Sequence, residues 1–427
     1  MRESERPVHE SAILVGLERE GVSRWDVQDS LDELRQLAAS AGATVADVVI
    51  QKLDHPTAPY YIGKGKAEEI ARGGTGQSAT TLIFDDELSP AQGRNLENLT
   101  SRKVLDRTQL ILDIFARRAR SREGRLQIEL AQLQYLLPRL TRMWTHLSRQ
   151  TGGIGTRGPG ETQLEVDRRR VQERIARLER DLREVRKNRA VQREGRRRNH
   201  WPVASLVGYT NAGKSSLLNR LTGAGVSAED RLFATLDPTT RQVVLPNRQK
   251  LLLTDTVGFI RKLPHTLIES FKATLEEVQL ADLLVHVVDA SHPQHAEQMA
   301  AVESTLKELN AMGKQTLLVF NKCDVVPHPD LIEGLLRQHP GSVAVSARTG
   351  EGIPALLEEF QIRLEAWRLK MRLALPHSES ALLAEIHRVG HVLEVRYEDD
   401  GRTLVTAHIP PELAPRLAAW VLPPSEA

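Results

Sequence analysis

Eight consecutive residues, Gly208-Tyr209-Thr210-Asn211-Ala212-Gly213-Lys214-Ser215, match the pattern G-x-x-x-x-G-K-[ST]. Glycines let the backbone turn tightly, so that successive N–H groups and a helix N-terminus point at phosphate oxygens. Lys214 then brings a point charge to the β- and γ-phosphates, and Ser215 a hydroxyl to Mg²⁺. The flanks suit that chemistry. Val203, Leu206 and Val207 read as a short buried strand before the run, and Ser215 to Leu218 opens a helix after it.

Three later strings complete the nucleotide site, and two of them select the base. Leu251 to Leu253 is an apolar strand ending in Asp255-Thr256-Val257-Gly258. A carboxylate there can hold the Mg²⁺ shell, while the Gly258 N–H can meet the γ-phosphate. Leu317 to Phe320 delivers Asn321-Lys322-Cys323-Asp324. Asp324 can accept from the N1–H and exocyclic amine of guanine, a donor pair that adenine lacks. Val343 to Val345 leads to Ser346-Ala347-Arg348, whose backbone can meet the guanine O6. One such tetrad is weak evidence. Four in fixed order, each ending an apolar strand, imply a GTP-binding domain.

The elements that must carry these residues fit a chain of 427 residues, 40% hydrophobic and 27% charged. About three domains are expected at that length. The charged start and the short apolar run Ile13 to Leu17 do not make a signal-peptide core. No stretch approaches the roughly 18 apolar residues of a spanning helix. A single cysteine, Cys323, excludes an internal disulfide and fits a reducing cytosol, so a cytoplasmic location is expected.

Net charge is only +2, yet it is uneven. Arg94 to Arg149 holds twelve Lys/Arg against five Asp/Glu, and Asp167 to Arg198 fourteen against six. Such asymmetry suits a polyanion-binding face, or equally a solvated helix surface. In the same region Leu126, Leu130, Leu133, Leu137, Leu140, Trp144 and Leu147 recur at spacings of four and three. Leu164, Val171, Ile175, Leu178, Leu182 and Val185 nearly follow suit. Two such seams predict a pair of antiparallel packed helices, the first kinked at Pro138. Thr151 to Gly160, half glycine and carrying Arg157, would form its basic tip.

Earlier, strands at Ser11–Leu17, Thr44–Leu53, Thr81–Phe84 and Lys103–Leu105 alternate with helices, as in a small parallel α/β domain. Its loop Tyr60-Tyr61-Ile62-Gly63-Lys64-Gly65-Lys66 reads either as a phosphate- or base-contacting loop or as a surface turn. After the GTP-binding region, His391–Tyr397 and Thr403–Ile409 predict a hairpin around Asp399-Asp400-Gly401. The expected fold is therefore α/β. A P-loop GTPase domain (201–370) follows a small α/β domain (1–120) and the helical hairpin (121–200), and a small α+β tail (371–427) ends the chain.

This layout resembles the HflX family of ribosome-associated GTPases. The resemblance rests on the Tyr60 to Lys66 loop, Phe84 to Pro90, Gly153 to Leu164 (Gly-Ile-Gly-Thr-Arg-Gly-Pro-Gly-Glu-Thr-Gln-Leu), the P-loop, Leu232 to Thr239 and Asp255 to Phe259. It runs from about Ala12 to Arg368, and the tail matches only loosely. It implies a GTP-driven factor that binds the large ribosomal subunit and ribosomal RNA and splits stalled or vacant ribosomes; separately, a monomer is expected. The hairpin tip would reach toward the peptidyl-transferase region. It also assigns switch I to Phe233-Ala234-Thr235-Leu236-Asp237, with Thr235 joining Ser215 and Asp255 on Mg²⁺; Thr239 and Thr240 compete for that role. Lys214, Thr235 and Gly258 would then serve catalysis.

After Gly258 stands Phe259, where small GTPases carry the glutamine that orients the attacking water. Slow intrinsic hydrolysis is expected, stimulated by the ribosome or by a monovalent cation. Asn211 resembles the asparagine of potassium-stimulated GTPases, so K⁺ joins Mg²⁺ as a candidate cofactor; a bond bracing the loop explains Asn211 equally well. Two other classes fit the residues: an RNA-binding module using GTP as a structural ligand, and a tRNA-modification or ribosome-maturation GTPase.

Overall fold

The computed structural model describes residues 10–73, 79–140, 163–197, 201–223, 232–233, 235–262, 275–398, 401–410 and 413–422. The predicted tip at 151–160, Trp144, Leu147, Ala234 and Asp399-Asp400 lie outside them. Four parallel strands, β1 (Ser11–Glu18), β2 (Thr44–Lys52), β3 (Thr81–Phe84) and β4 (Lys103–Asp106), form the first sheet in the order β2-β1-β3-β4. Strand β1 is buried from Ala12 to Leu17 because helices cover both faces. Its odd residues Ile13, Val15 and Leu17 pack with Ile62, Phe84 and Leu96. Its even residues Ala12 and Leu14 face α1 (Arg24–Ser40) and join a second core with Leu31, Leu34 and Phe115.

Local signals set these helices. Ser23 and Asp26 form a capping box at the start of α1. Helix α2 (Lys64–Ala71) begins behind Gly63. Ser89, with Pro90 at the first helical position, caps α3 (Pro90–Thr100). Asp106 caps α4 (Arg107–Arg118). In the Tyr60–Lys66 loop, Tyr61 turns inward. Only 4% of it is exposed, and its hydroxyl bonds Asp86 and accepts from Arg19 at 2.7 Å. It is therefore a packing residue and offers no face for a base to stack on.

Helices α5 (Arg122–Leu136) and α6 (Gln163–Arg197) pack along the leucine seam. Leu130, Leu178 and Leu182 are buried, with Leu126, Leu133 and Ile175 against them. Arg174 grips Glu129 with two bonds of 2.7 and 2.9 Å. Pro138 does not kink α5 but stands just past its end: a proline ring clashes with the carbonyl four residues back, and the helix stops at Leu136.

The central sheet runs β10-β9-β8-β5-β7-β6, parallel except for β6. Its strands are β5 (Val203–Gly208), β6 (Thr239–Val244), β7 (Lys250–Asp255), β8 (Leu283–Asp289), β9 (Thr316–Asn321) and β10 (Val343–Ala344). Strand β6 escaped sequence reading: residues 239–244 include exposed Arg241 and Val244 and show little alternation. The C-terminal ends of β5, β7, β8 and β9 lie on one edge, where open α/β sheets bind ligands. Within β8, burial holds the His286 imidazole at about 4, so it is neutral at ordinary pH.

A three-stranded antiparallel sheet, β11-β13-β12, follows the GTP-binding region, and a short helix (Ala414–Leu417) comes after it. Strands β12 (His391–Tyr397) and β13 (Arg402–Ile409) are the hairpin. The third strand, β11 (Leu369–Pro376), pairs with β13 and starts two residues before the expected boundary at 371.

Candidate functional site

The central edge gathers the candidate residues through backbone geometry first. Gly208 has φ 151°, and a Cβ there would lie 2.2 Å from the Val287 carbonyl oxygen. Gly213 has φ 90°, and its Cβ would lie 2.2 Å from Asn321 Nδ2. Only glycine allows β5 to turn into α7 (Lys214–Thr222) this closely.

The Lys214 ammonium is buried and donates to the carbonyls of Gly208 at 3.1 Å and Tyr209 at 2.7 Å. Burial lowers its pKa to about 8 against the opposing pull of Asp255. Burial likewise raises Asp255, while bonds from Ser215 and Thr235 pull the other way. Ser215 Oγ and Thr235 Oγ1 donate to Asp255 Oδ2 at 2.6 and 2.8 Å and lie 2.7 Å apart. Asp255 Oδ1 is buried with no hydrogen-bond partner among the described residues. Two hydroxyls and a carboxylate are the hard oxygen donors Mg²⁺ prefers, so this cluster fits that ion. Of the competing threonines, Thr240 bonds Thr254 at 2.9 Å, and Thr239 pairs with Asp255 only through β6 register.

At the end expected to read the base, Asn321 Nδ2 donates to the Ala212 carbonyl at 2.8 Å, and its Oδ1 accepts from the Ala347 N–H at 3.0 Å. That amide is thus held by Asn321. Lys322 has φ 64° and pairs with Asp289 at 2.6 Å. Asp324 Oδ1 accepts from Ser346 Oγ at 2.7 Å. The Arg348 guanidinium lies 2.8 Å from Oδ2 without hydrogen-bond alignment, which leaves that oxygen able to accept. Cys323 is half-buried and unbridged. Asp324→Asn is nearly isosteric, yet it replaces a charged acceptor by an amide that also donates. It should weaken GTP about a hundredfold and favour xanthosine nucleotides. Competition against a labelled nucleotide reads this out; undiminished GTP affinity would remove Asp324 from base recognition.

Several expected nucleotide contacts are engaged elsewhere. Thr256 Oγ1 donates to the Leu206 carbonyl at 2.6 Å, and Val257 is buried. Phe233 stacks edge-on against Phe115 at 4.5 Å, and Leu236 is 3% exposed in the same core. Asp237 accepts from the N–H groups of Arg120 and Ser121 at 3.0 and 2.8 Å, and from the Ser121 hydroxyl. Thr235 alone of the described residues expected to form switch I turns to the cluster around Asp255. The others grip the N-terminal unit.

The loop after Gly258 grips it too. Lys262 pairs with Asp85, and with Asp86 at 2.8 Å. The fully buried Arg107 binds Asp85 at 2.8 Å and Glu33 as well. Glu33 accepts from the hydroxyl of Tyr209, and that hydroxyl accepts from the Arg261 N–H at 2.8 Å. Breaking a buried pair from one side costs about 3–5 kcal/mol, so this junction is stiff. No sequence motif marked Glu33 or Arg107, and Asp85 stood out only as part of the Phe84 to Pro90 run, with no partner indicated.

A P-loop at the switch edge of a parallel sheet, with a serine, a threonine and an aspartate converging and an Asn-Lys-x-Asp turn beside it, defines a GTPase. Comparisons with known proteins agree. Residues 203–322 match a family described as 50S ribosome-binding GTPase. Residues 28–116 and 118–196 match the N-terminal and middle regions of GTP-binding GTPases. GTPase HflX of Lacrimispora saccharolytica is 48% identical over 416 residues, 97% of this chain and 96% of its own. GTPase HflX of Escherichia coli K12 is 46% identical over 389 residues, 90% of each chain. The chain belongs to the HflX family of GTPases. It hydrolyses GTP, and a GTPase of this fold typically uses Mg²⁺. No helix among the described residues is long and apolar enough to cross a membrane.

Proposed function

We propose that this GTPase binds the large ribosomal subunit through its basic helical pair and separates stalled or vacant ribosomes into subunits. Ser215, Thr235 and Asp255 would hold Mg²⁺, Lys214 the β- and γ-phosphates, and Asp324 the guanine. The observation that carries the proposal is the double grip of switch I and the loop after Gly258 on the N-terminal unit. Thr235 lies two residues from Asp237, so a threonine drawn to Mg²⁺ and γ-phosphate pulls on the anchor at Arg120 and Ser121. Those anchors precede α5, which packs on α6. Arg168, Arg170, Arg177, Arg180 and Arg183 are exposed on α6, where RNA phosphates can reach them.

The test replaces residues 153–160 by a shorter neutral turn. GTP binding should persist, because no P-loop or base-reading residue is touched. Conversion of vacant ribosomes to subunits, read on sucrose gradients, should fail. Binding to large subunits should fall less and weaken steeply with added salt, as counterions compete for phosphates. Splitting at the parental rate would reduce the hairpin to a spacer. Turnover compared in potassium and sodium tests whether Asn211 serves a monovalent cation. Its φ of 62° places it at the exposed turn of the P-loop.

A further inference from the structure

Phe259 is fully buried, so whatever orients the water that attacks GTP must be another group. The polar side chains around the P-loop are mostly committed. Lys214 bonds two carbonyls, Ser215 and Thr235 bond Asp255, and Thr256 bonds Leu206. Thr210 differs. It is 6% exposed, and its Oγ1 has no hydrogen-bond partner among the described residues.

Its position is tightly set. The Thr210 N–H donates to the Phe259 carbonyl at 2.7 Å, and the Phe259 N–H to the Gly208 carbonyl at 3.1 Å, so P-loop and following loop run as a paired bridge. A Cβ on Gly258 would lie 2.7 Å from Thr210 Cα, 2.8 Å from its Cγ2 and 3.0 Å from Lys214 Nζ. Thr210, Gly258 and Lys214 therefore converge on one point. The methyl of Thr210 packs on Gly258, which leaves the hydroxyl to the other branch. A cavity of about 480 Å³, walled by Asn211, Leu232, Arg261, Asp289 and His292, opens beside Thr210.

A buried hydroxyl without a partner costs about 1–3 kcal/mol, and valine would fill the same space without that cost. A threonine here is explained by a bond made when nucleotide is present. We propose that the Thr210 hydroxyl is a catalytic group that contacts the terminal phosphoryl group of GTP and the water attacking it. The water oxygen forms a bond to the γ-phosphorus, the bond to the β–γ bridging oxygen breaks, and its electron pair leaves with GDP. The water proton passes to the phosphate product. Thr210 donates to a γ-oxygen, accepts from the water and is unchanged at the end. This rests on reading Gly208 to Ser215 as the phosphate loop.

The test compares Thr210→Val with Thr210→Ser. Single-turnover hydrolysis at saturating GTP should fall about a hundredfold in the valine variant and recover in the serine one, the size of effect seen when one preorganised donor is removed. GDP affinity should not change, because GDP lacks the contacted group. Without nucleotide, the valine variant should melt at the parental temperature or above. Parental turnover in Thr210→Val would overturn the proposal. So would a loss of GDP affinity equal to the loss of turnover, which would make Thr210 a general brace of the loop. Parental turnover in Lys214→Ala would instead sink the phosphate-loop reading itself.

Discussion

Lys214→Ala should abolish measurable GTP hydrolysis. Phosphoryl transfer leaves the protein little covalent work, so positioning and charge neutralisation supply nearly all of the catalysis. A Lys214 ammonium withdrawn from solvent acts where its charge is least screened. The loss should be at least about a thousandfold, measured as phosphate release at saturating GTP, with the folded state checked by circular dichroism. A variant within about tenfold of the parent would mean that backbone N–H groups alone neutralise the phosphates.

Phe259→Ala should destabilise the fold by about 3–5 kcal/mol, the usual range for truncating a buried phenylalanine. From the sequence, this residue could only be described by what it lacks: it cannot orient water, so its removal should leave slow hydrolysis unchanged. Its tertiary setting changes the outlook. Phe259 is 0% exposed in the core that holds Leu110, Ile111 and Phe115 of the N-terminal unit with Val278, Ala281 and Leu306 of the GTPase unit. Truncation opens a cavity where the two units meet. Urea unfolding measures the effect, and Phe259→Leu, closer in volume, should cost less. A loss below about 1 kcal/mol in the alanine variant would show that the core collapses onto the gap.

How much was legible follows from the range of the signals. The P-loop, Asp255 to Gly258 and Asn321 to Asp324 are contiguous strings at strand ends, and local geometry forces their residue types. The seam from Leu126 to Val185 shows as a period, and the βα alternation as a rhythm of apolar runs. Strand β6 stayed hidden because Thr239 to Val244 is mostly polar and exposed, whereas β11 does alternate, with Leu369, Met371, Leu373 and Leu375 at every second position, but runs on directly from the helix before it. Asp237, Phe233 and Tyr61 have the composition of ligand-contacting residues, and only packing reveals that they are engaged within the protein.

By itself, then, the sequence determined the nucleotide chemistry, the α/β class and the paired basic helices, since each depends on neighbours within a few residues. Only the tertiary structure decided that both units share one core and that Arg107, Glu33, Asp85, Tyr209 and Lys262 form one junction. Those partners lie between 22 and 177 residues apart. No periodicity spans such distances. The junction exists because folding brings separate strand ends together, where buried charges must find each other once water is gone.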